Sequence, residues 1–132
     1  MAIPLKDPDT MLLIREYGVG LDQYHLGFPK GLIDRGELPL DAIKRELQEE
    51  IHFAARTVTP LMTLAPSPAF LDSLMQVFIA EDLYPQSLPG DEPEPLDVIP
   101  WKISEVDALL AHPEFIDSRS IAALLTFLRQ RN

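Results

Sequence analysis

The stretch Gly31-Leu32-Ile33-Asp34-Arg35-Gly36-Glu37, followed after seven residues by Arg45-Glu46-Leu47-Gln48-Glu49-Glu50-Ile51-His52-Phe53, decides how this chain is read. Its second half predicts a helix over Pro39–Ile51. Proline suits a first helical position, where its missing N–H is not needed. Asp41 falls in the first turn, where the helix dipole favours negative charge. Leu40, Ile43, Leu47 and Ile51 recur at spacings of three and four, which makes one apolar stripe. Glu46, Glu49 and Glu50 stand at i, i+3 and i+4, so they share a face beside that stripe. Like charges at these spacings destabilise a bare helix by roughly 0.2–0.5 kcal/mol per pair. A solvated acidic face is one explanation. A bound cation is the other, and hard divalent ions such as Mg²⁺ take carboxylate oxygens, waters and substrate phosphates.

Outward from this segment, the pattern is mixed. Toward the N-terminus, Ile3–Leu5, Met11–Tyr17 and Tyr24–Phe28 read as strands, with a turn at Asp7-Pro8-Asp9 and loops at Gly18–Gln23 and Gly31–Leu38. Toward the C-terminus, Val58–Leu64, Leu74–Asp82 and Val98–Lys102 read as strands. Ser104 and Asp107 resemble a capping box opening a short helix to Leu110. Asp117 caps a last helix whose buried face is predicted as Ile121, Leu124, Leu125 and Leu128. Strands and helices mixed in this way predict an α/β or α+β domain with helices on a mixed sheet. No repeat or internal boundary is visible, so residues 1–132 read as a single domain.

The 132 residues include 21 acidic and 11 basic side chains, for a formal charge of −10. Such a chain repels nucleic-acid phosphates, and no basic stripe offsets this. No apolar run approaches the roughly 20 residues of a membrane span. The absence of cysteine excludes disulfides, thiolate metal sites and a cysteine nucleophile, and fits a cytoplasmic location. Of the 13 prolines, five cluster between Pro85 and Pro100, which predicts a stiff loop. Trp101 reads as core. His25 and His112 lack ligand spacing and read as surface or satisfied side chains.

Gly31, Glu37, Arg45, Glu46, Leu47, Glu49, Glu50 and Phe53 resemble the signature of the Nudix hydrolase superfamily. With residue types near 5% each, a chance match this good is rarer than roughly one in ten thousand. The resemblance implies a Nudix α/β/α sandwich with a mixed sheet. It implies Mg²⁺, or Mn²⁺, held by Glu46, Glu49 and Glu50 with the main-chain carbonyl of Lys30. It implies Glu37 and Arg45 as a brace between loop and helix, with Gly31 in the same frame.

The likeness extends through Leu13–Tyr17, Leu26–Lys30, Asp82–Pro85, Gly90–Pro95 and Asp117–Ala122, which are similar to the NudE-type ADP compounds hydrolases and the ADP-ribose pyrophosphatase group. That branch implies cleavage of a pyrophosphate bond in ADP-ribose, NADH or diadenosine polyphosphates. The substrate is a small nucleotide, and a homodimer is the usual assembly. It also implies a base on the acidic proline loop, Glu92 ahead of Glu94, with Glu49 the next candidate. Arg15 and Lys30 are candidate contacts to phosphate or ribose.

The chain departs from the pattern in two places. His52 stands where a glycine ends the helix, in a conformation that costs a non-glycine residue roughly 1 kcal/mol. The family's few dozen N-terminal residues, whose strands contact the adenine side of the substrate, are expected to be missing. Another Nudix specificity, for a triphosphate or a different nucleoside diphosphate derivative, stays open, as does a non-catalytic nucleotide-binding module.

Overall fold

A computed structural model describes residues 1–90 and 92–131. Asp91, part of the acidic proline stretch, and Asn132 lie outside the described residues. The elements are β1 (Ala2–Asp7), β2 (Thr10–Gly18), β3 (Gln23–Gly27), α1 (Pro39–Glu50), β4 (Phe53–Leu64), β5 (Met75–Pro85), β6 (Asp97–Lys102), α2 (Val106–Leu110) and α3 (Ser118–Arg131). The sheet runs β3-β2-β1-β5-β4, with β6 also paired to β2. It is mixed: β1 lies parallel to β5 through Ala2↔Phe78, Ile3↔Ile79 and Pro4↔Ala80, and the other pairs are antiparallel.

The run Met11-Leu12-Leu13-Ile14 is apolar at every position because the sheet is covered on both faces. Met11 and Leu13 join a cluster with Ile3, Leu26, Phe28, Leu109, Leu124 and Phe127, beneath α2 and α3. Leu12 and Ile14 join the opposite one with Ile43, Leu47, Ile51, Phe78 and Ala80, beneath α1. The result is the three-layer α/β/α arrangement with a mixed sheet that the sequence predicts. Among the described residues no helix is long and apolar enough to cross a membrane.

Several local expectations are corrected. β4 begins at Phe53, five residues before the predicted Val58. Ala54 and Ala55 have little strand preference of their own, but they pair with Tyr84 and Leu83, and Ala55 packs beneath α1. Tertiary pairing overrides propensity there. Ser104 does not cap a helix. Its hydroxyl and N–H donate to Asp9 at 3.2 and 3.1 Å, and a 3₁₀ turn at Ile103–Glu105 leads into α2. In α3 the buried residues are Ser120, Ala123, Leu124 and Phe127, while Leu125 is 49% exposed. Ile121 and Leu128 are partly buried and pack against the same core cluster, as expected. Leu40, at 37% exposure, is not part of the buried stripe of α1. Trp101 is half-buried, with its indole N–H donating to the Glu105 carbonyl at 2.9 Å.

α1 ends with Ile51 in right-handed geometry, its N–H reaching the Leu47 carbonyl. His52 follows at φ +64°, the left-handed position that glycine usually occupies. The exposed imidazole points away from the core, and the His52 carbonyl accepts the Gln86 N–H at 3.2 Å. That bond ties the end of α1 to the start of the proline loop.

Candidate active site

Helix α1 turns its Ala42-Ile43-Glu46-Leu47-Glu50 face inward. Two carboxylates are thereby carried into the molecule: Glu46 is 8% and Glu50 5% exposed. Burial raises Glu50 to about 8, with the charge of Glu46 adding to the rise and the Lys30 N–H opposing it. Burial likewise raises Glu46 to about 7, against the pull of Arg45. Each rise is the cost of desolvating a carboxylate that is only partly compensated.

The loop before α1 is shaped around these acids. The Lys30 N–H donates to Glu50 Oε2 at 3.1 Å. A Cβ at Gly31 would stand inside the carboxyl group of Glu46, so glycine is needed there for close approach. Arg45 spans loop and helix. Its Nε and Nη2 grip both oxygens of Glu37 at 2.9 and 3.1 Å, and Nη2 also donates to the Leu32 carbonyl at 3.1 Å. Its Nη1 reaches Glu46 at 3.0 Å and both oxygens of Glu49 at 3.2 Å. Hydrogen bonding to Glu37, the largest influence, raises the guanidinium far above its ordinary value. Glu37 is held below its own by the same contact, with the Asp34 N–H second.

Among the described residues no three His, Cys, Asp or Glu side chains are already gathered as a metal cage. Arg45 Nη1 holds the cationic place between Glu46 and Glu49. The donor set nonetheless fits a hard divalent ion. It consists of carboxylate oxygens, two of them from buried and under-compensated groups, on a helix face whose neighbouring backbone leaves no room for a side chain at Gly31.

The two loop glutamates diverge. Glu92 is half-buried, and its charge is close enough to raise the proton affinity of Glu46. A Cβ at Gly90 would meet the Glu92 carboxylate at 2.5 Å and the Glu49 carbonyl at 3.6 Å, so the loop crosses close to α1. The Leu88 N–H, donating to the Gln48 carbonyl at 3.1 Å, anchors that crossing. Glu94 is turned elsewhere and accepts the Tyr24 hydroxyl at 3.0 Å.

Arg15 and Lys30 are both engaged. Arg15 forms a two-point pair with Glu114 at 2.8 and 2.9 Å, its guanidinium 4.3 Å from the Tyr24 ring centroid. Lys30 Nζ donates to Glu16 at 3.0 Å.

Glu16, Tyr24, Glu114 and the Ser120 hydroxyl escaped sequence reasoning, whereas Asp117 caps α3 as expected, accepting the Ser120 N–H at 3.2 Å. The Ser120 hydroxyl donates to Asp117 at 2.8 Å and accepts the Phe28 N–H at 3.1 Å, which fixes the strand end leading into Lys30. A register placing Glu16 opposite His25 and Tyr17 opposite Tyr24 would have pointed to the first two. The others depend on contacts 92 or 99 residues apart.

The NUDIX domain model matches residues 1–125. This chain belongs to the Nudix family. Residues 31–53 are its Nudix box, lying on the loop and helix that gather the carboxylates. The chain is 47% identical to the ADP compounds hydrolase NudE of Escherichia coli (strain K12) over 124 residues, covering 94% of this chain and 66% of that protein. It is 25% identical over 124 residues to an ADP-ribose pyrophosphatase of Bacillus subtilis (strain 168), covering 92% and 67%. A crystal structure of an ADP compounds hydrolase superposes with a TM-score of 0.93 at 44% identity, covering 98% of this Nudix chain and 70% of that one. The chain therefore spans about two thirds of the length of the curated relatives it matches.

Proposed function

We propose that this Nudix chain hydrolyses the diphosphate linkage of ADP-linked compounds, with ADP-ribose, NADH and diadenosine polyphosphates as the substrate class. The observation that carries the proposal is the pair of buried carboxylates Glu46 and Glu50 on a helix face shared with Glu49. A binding module has no use for such a costly arrangement, and the names of the relatives supply the ADP end of the substrate.

Glu46, Glu49 and Glu50, with the main chain at Lys30, would hold Mg²⁺ or Mn²⁺. When bound, the ion supplies Lewis acidity toward phosphoryl oxygens and makes water a better nucleophile. Glu92 takes the proton of the water that attacks phosphorus, since its charge acts on Glu46 and its loop crosses close to α1. Glu37 and Arg45 hold the box loop against α1 and keep the three carboxylates aligned. The loop carrying Glu92 limits bulk water around the reacting atoms. The acidic, cysteine-free composition supports a small nucleotide substrate rather than nucleic acid and a cytoplasmic location. The likeness to the ADP-ribose pyrophosphatase group supports a homodimer.

The test is phosphate release in a coupled phosphatase assay, with ADP-ribose, NADH, diadenosine polyphosphates and nucleoside triphosphates offered separately with Mg²⁺. Mg²⁺-dependent turnover of the ADP-linked set supports the proposal. Turnover of triphosphates alone, or of nothing, refutes it.

A further inference from the structure

Strand β3 ends at Gly27, the last of its residues to pair with β2. Beyond it the main chain leaves the sheet, and its polar groups need partners elsewhere. Each finds one on a different element. The Phe28 N–H donates to the Ser120 hydroxyl of α3 at 3.1 Å. The Pro29 carbonyl accepts the Ala2 N–H of β1 at 3.1 Å. The Lys30 N–H donates to Glu50 Oε2 of α1 at 3.1 Å. Three consecutive residues are thus tied to three elements, and the last tie is to a carboxylate of the site.

The tie to α3 depends on the direction of a hydroxyl, which can both donate and accept. Asp117 sets that direction. An ionised carboxylate only accepts, and Ser120 Oγ donates to Asp117 Oδ2 at 2.8 Å, which leaves its lone pairs for Phe28. Asp117 is itself held, by the Ser120 N–H at 3.2 Å on Oδ2 and by Arg119 Nε at 2.9 Å on Oδ1. Phe28 and Ser120 are fully buried, so bulk water cannot stand in for the hydroxyl. Space enforces the same arrangement. A Cβ at Gly27 would meet Ser120 Oγ at 3.1 Å, Lys30 Nζ at 3.7 Å and Asp117 Oδ2 at 3.8 Å. We propose that Asp117 and Ser120 are positioning residues for the metal site, a clamp that fixes the Phe28–Lys30 main chain and so holds Lys30 against Glu50. Neither touches the ion or the substrate. The inference rests on the metal binding proposed above for Glu46, Glu49, Glu50 and Lys30, and adds the distant part of the chain on which it depends.

Mg²⁺ is titrated calorimetrically into the parent, Ser120→Ala, Asp117→Asn, Gly27→Ala and Leu124→Val, at a temperature where circular dichroism shows each to be folded. Leu124→Val is the control, since it loosens the same helix through the core and leaves the clamp intact. Ser120→Ala is expected to weaken Mg²⁺ binding at least tenfold, Asp117→Asn and Gly27→Ala severalfold, and Leu124→Val less than twofold. In metal-free protein, hydrogen exchange at the Lys30 amide is expected to quicken at least tenfold in Ser120→Ala, although that amide bonds to Glu50 and not to Ser120. If Ser120→Ala does not fold, Asp117→Asn and Gly27→Ala carry both measurements. Unchanged Mg²⁺ affinity or unchanged Lys30 exchange in a folded clamp variant, or a loss in Leu124→Val as large as in the clamp variants, overturns the positioning role. A parent that binds no Mg²⁺ overturns both this inference and the proposed function. A parent that binds Mg²⁺, with these losses in the variants, but releases no phosphate from ADP-linked compounds refutes the proposed hydrolysis and leaves the clamp standing.

Discussion

Replacing Glu50 by glutamine removes a buried charge while keeping an oxygen for the Lys30 N–H, which donates at 3.1 Å. Glu50 is raised to about 8, by burial first and the charge of Glu46 second, from an ordinary value of 4.5. For an acid raised in this direction the sign is unambiguous. Below about pH 4.5 both states carry the proton and the group has no effect on stability. Between about 4.5 and 8 the unfolded chain ionises while the folded one keeps its proton, so stability falls. Above about 8 the deficit is complete. One pKa unit is worth about 1.4 kcal/mol, which puts the deficit at roughly 3–5 kcal/mol. The new amide hydrogens need partners of their own, and one left unsatisfied costs about 1–3 kcal/mol. Metal-free Glu50→Gln is therefore expected to be more stable than the metal-free parent by about 2 kcal/mol at pH 8.5, and less stable by about 1–3 kcal/mol at pH 4.5, where only the amide penalty remains. Excess Mg²⁺ should reverse the order, because binding to the folded state alone stabilises in proportion to the logarithm of ligand concentration. Urea denaturation at the two pH values, with chelator or with Mg²⁺, checks all of this. A destabilised variant at pH 8.5 in chelator, or equal Mg²⁺ stabilisation of both proteins, refutes the reasoning.

Other substitutions separate the remaining roles. Glu92→Gln should lower turnover by about 10²–10⁴, the usual effect of losing a general base, with Mg²⁺ affinity unchanged by calorimetry; Glu94→Gln should lower turnover far less, and the opposite ranking would move the base to Glu94. His52→Gly should raise stability by roughly 0.5–1 kcal/mol in thermal unfolding, because φ of +64° suits glycine and only a main-chain bond is made there; loss of stability would contradict this. Ser120→Ala should cost about 1–3 kcal/mol, since it strips the partner from the Phe28 N–H in a fully buried setting; an unchanged denaturation midpoint would show that Phe28 finds another acceptor.

The chemistry of the box was legible because it is local. Glu46, Glu49 and Glu50 share a face through helical periodicity alone, and Pro39 and Asp41 announce where that helix begins. The left-handed turn at His52 was legible through the resemblance, whose signature has a helix-ending glycine at that position. The two covered faces of the sheet are written in the unbroken apolar run of β2. The resemblance put Glu92 ahead of Glu94 as the candidate base. Their spacing says nothing about which one turns inward.

Tertiary structure decided that Glu94 accepts the Tyr24 hydroxyl and that the loop is held to α1 at Leu88. It also decided that Arg15 and Lys30 are paired with Glu114 and Glu16, and that Ala54 and Ala55 belong to a strand. Each of these depends on partners distant along the chain. Helical periodicity is a property of one segment and can be read from it. A hydrogen bond between strand β3 and the proline loop spans 70 residues, and its formation depends on how the whole sheet brings the two ends together.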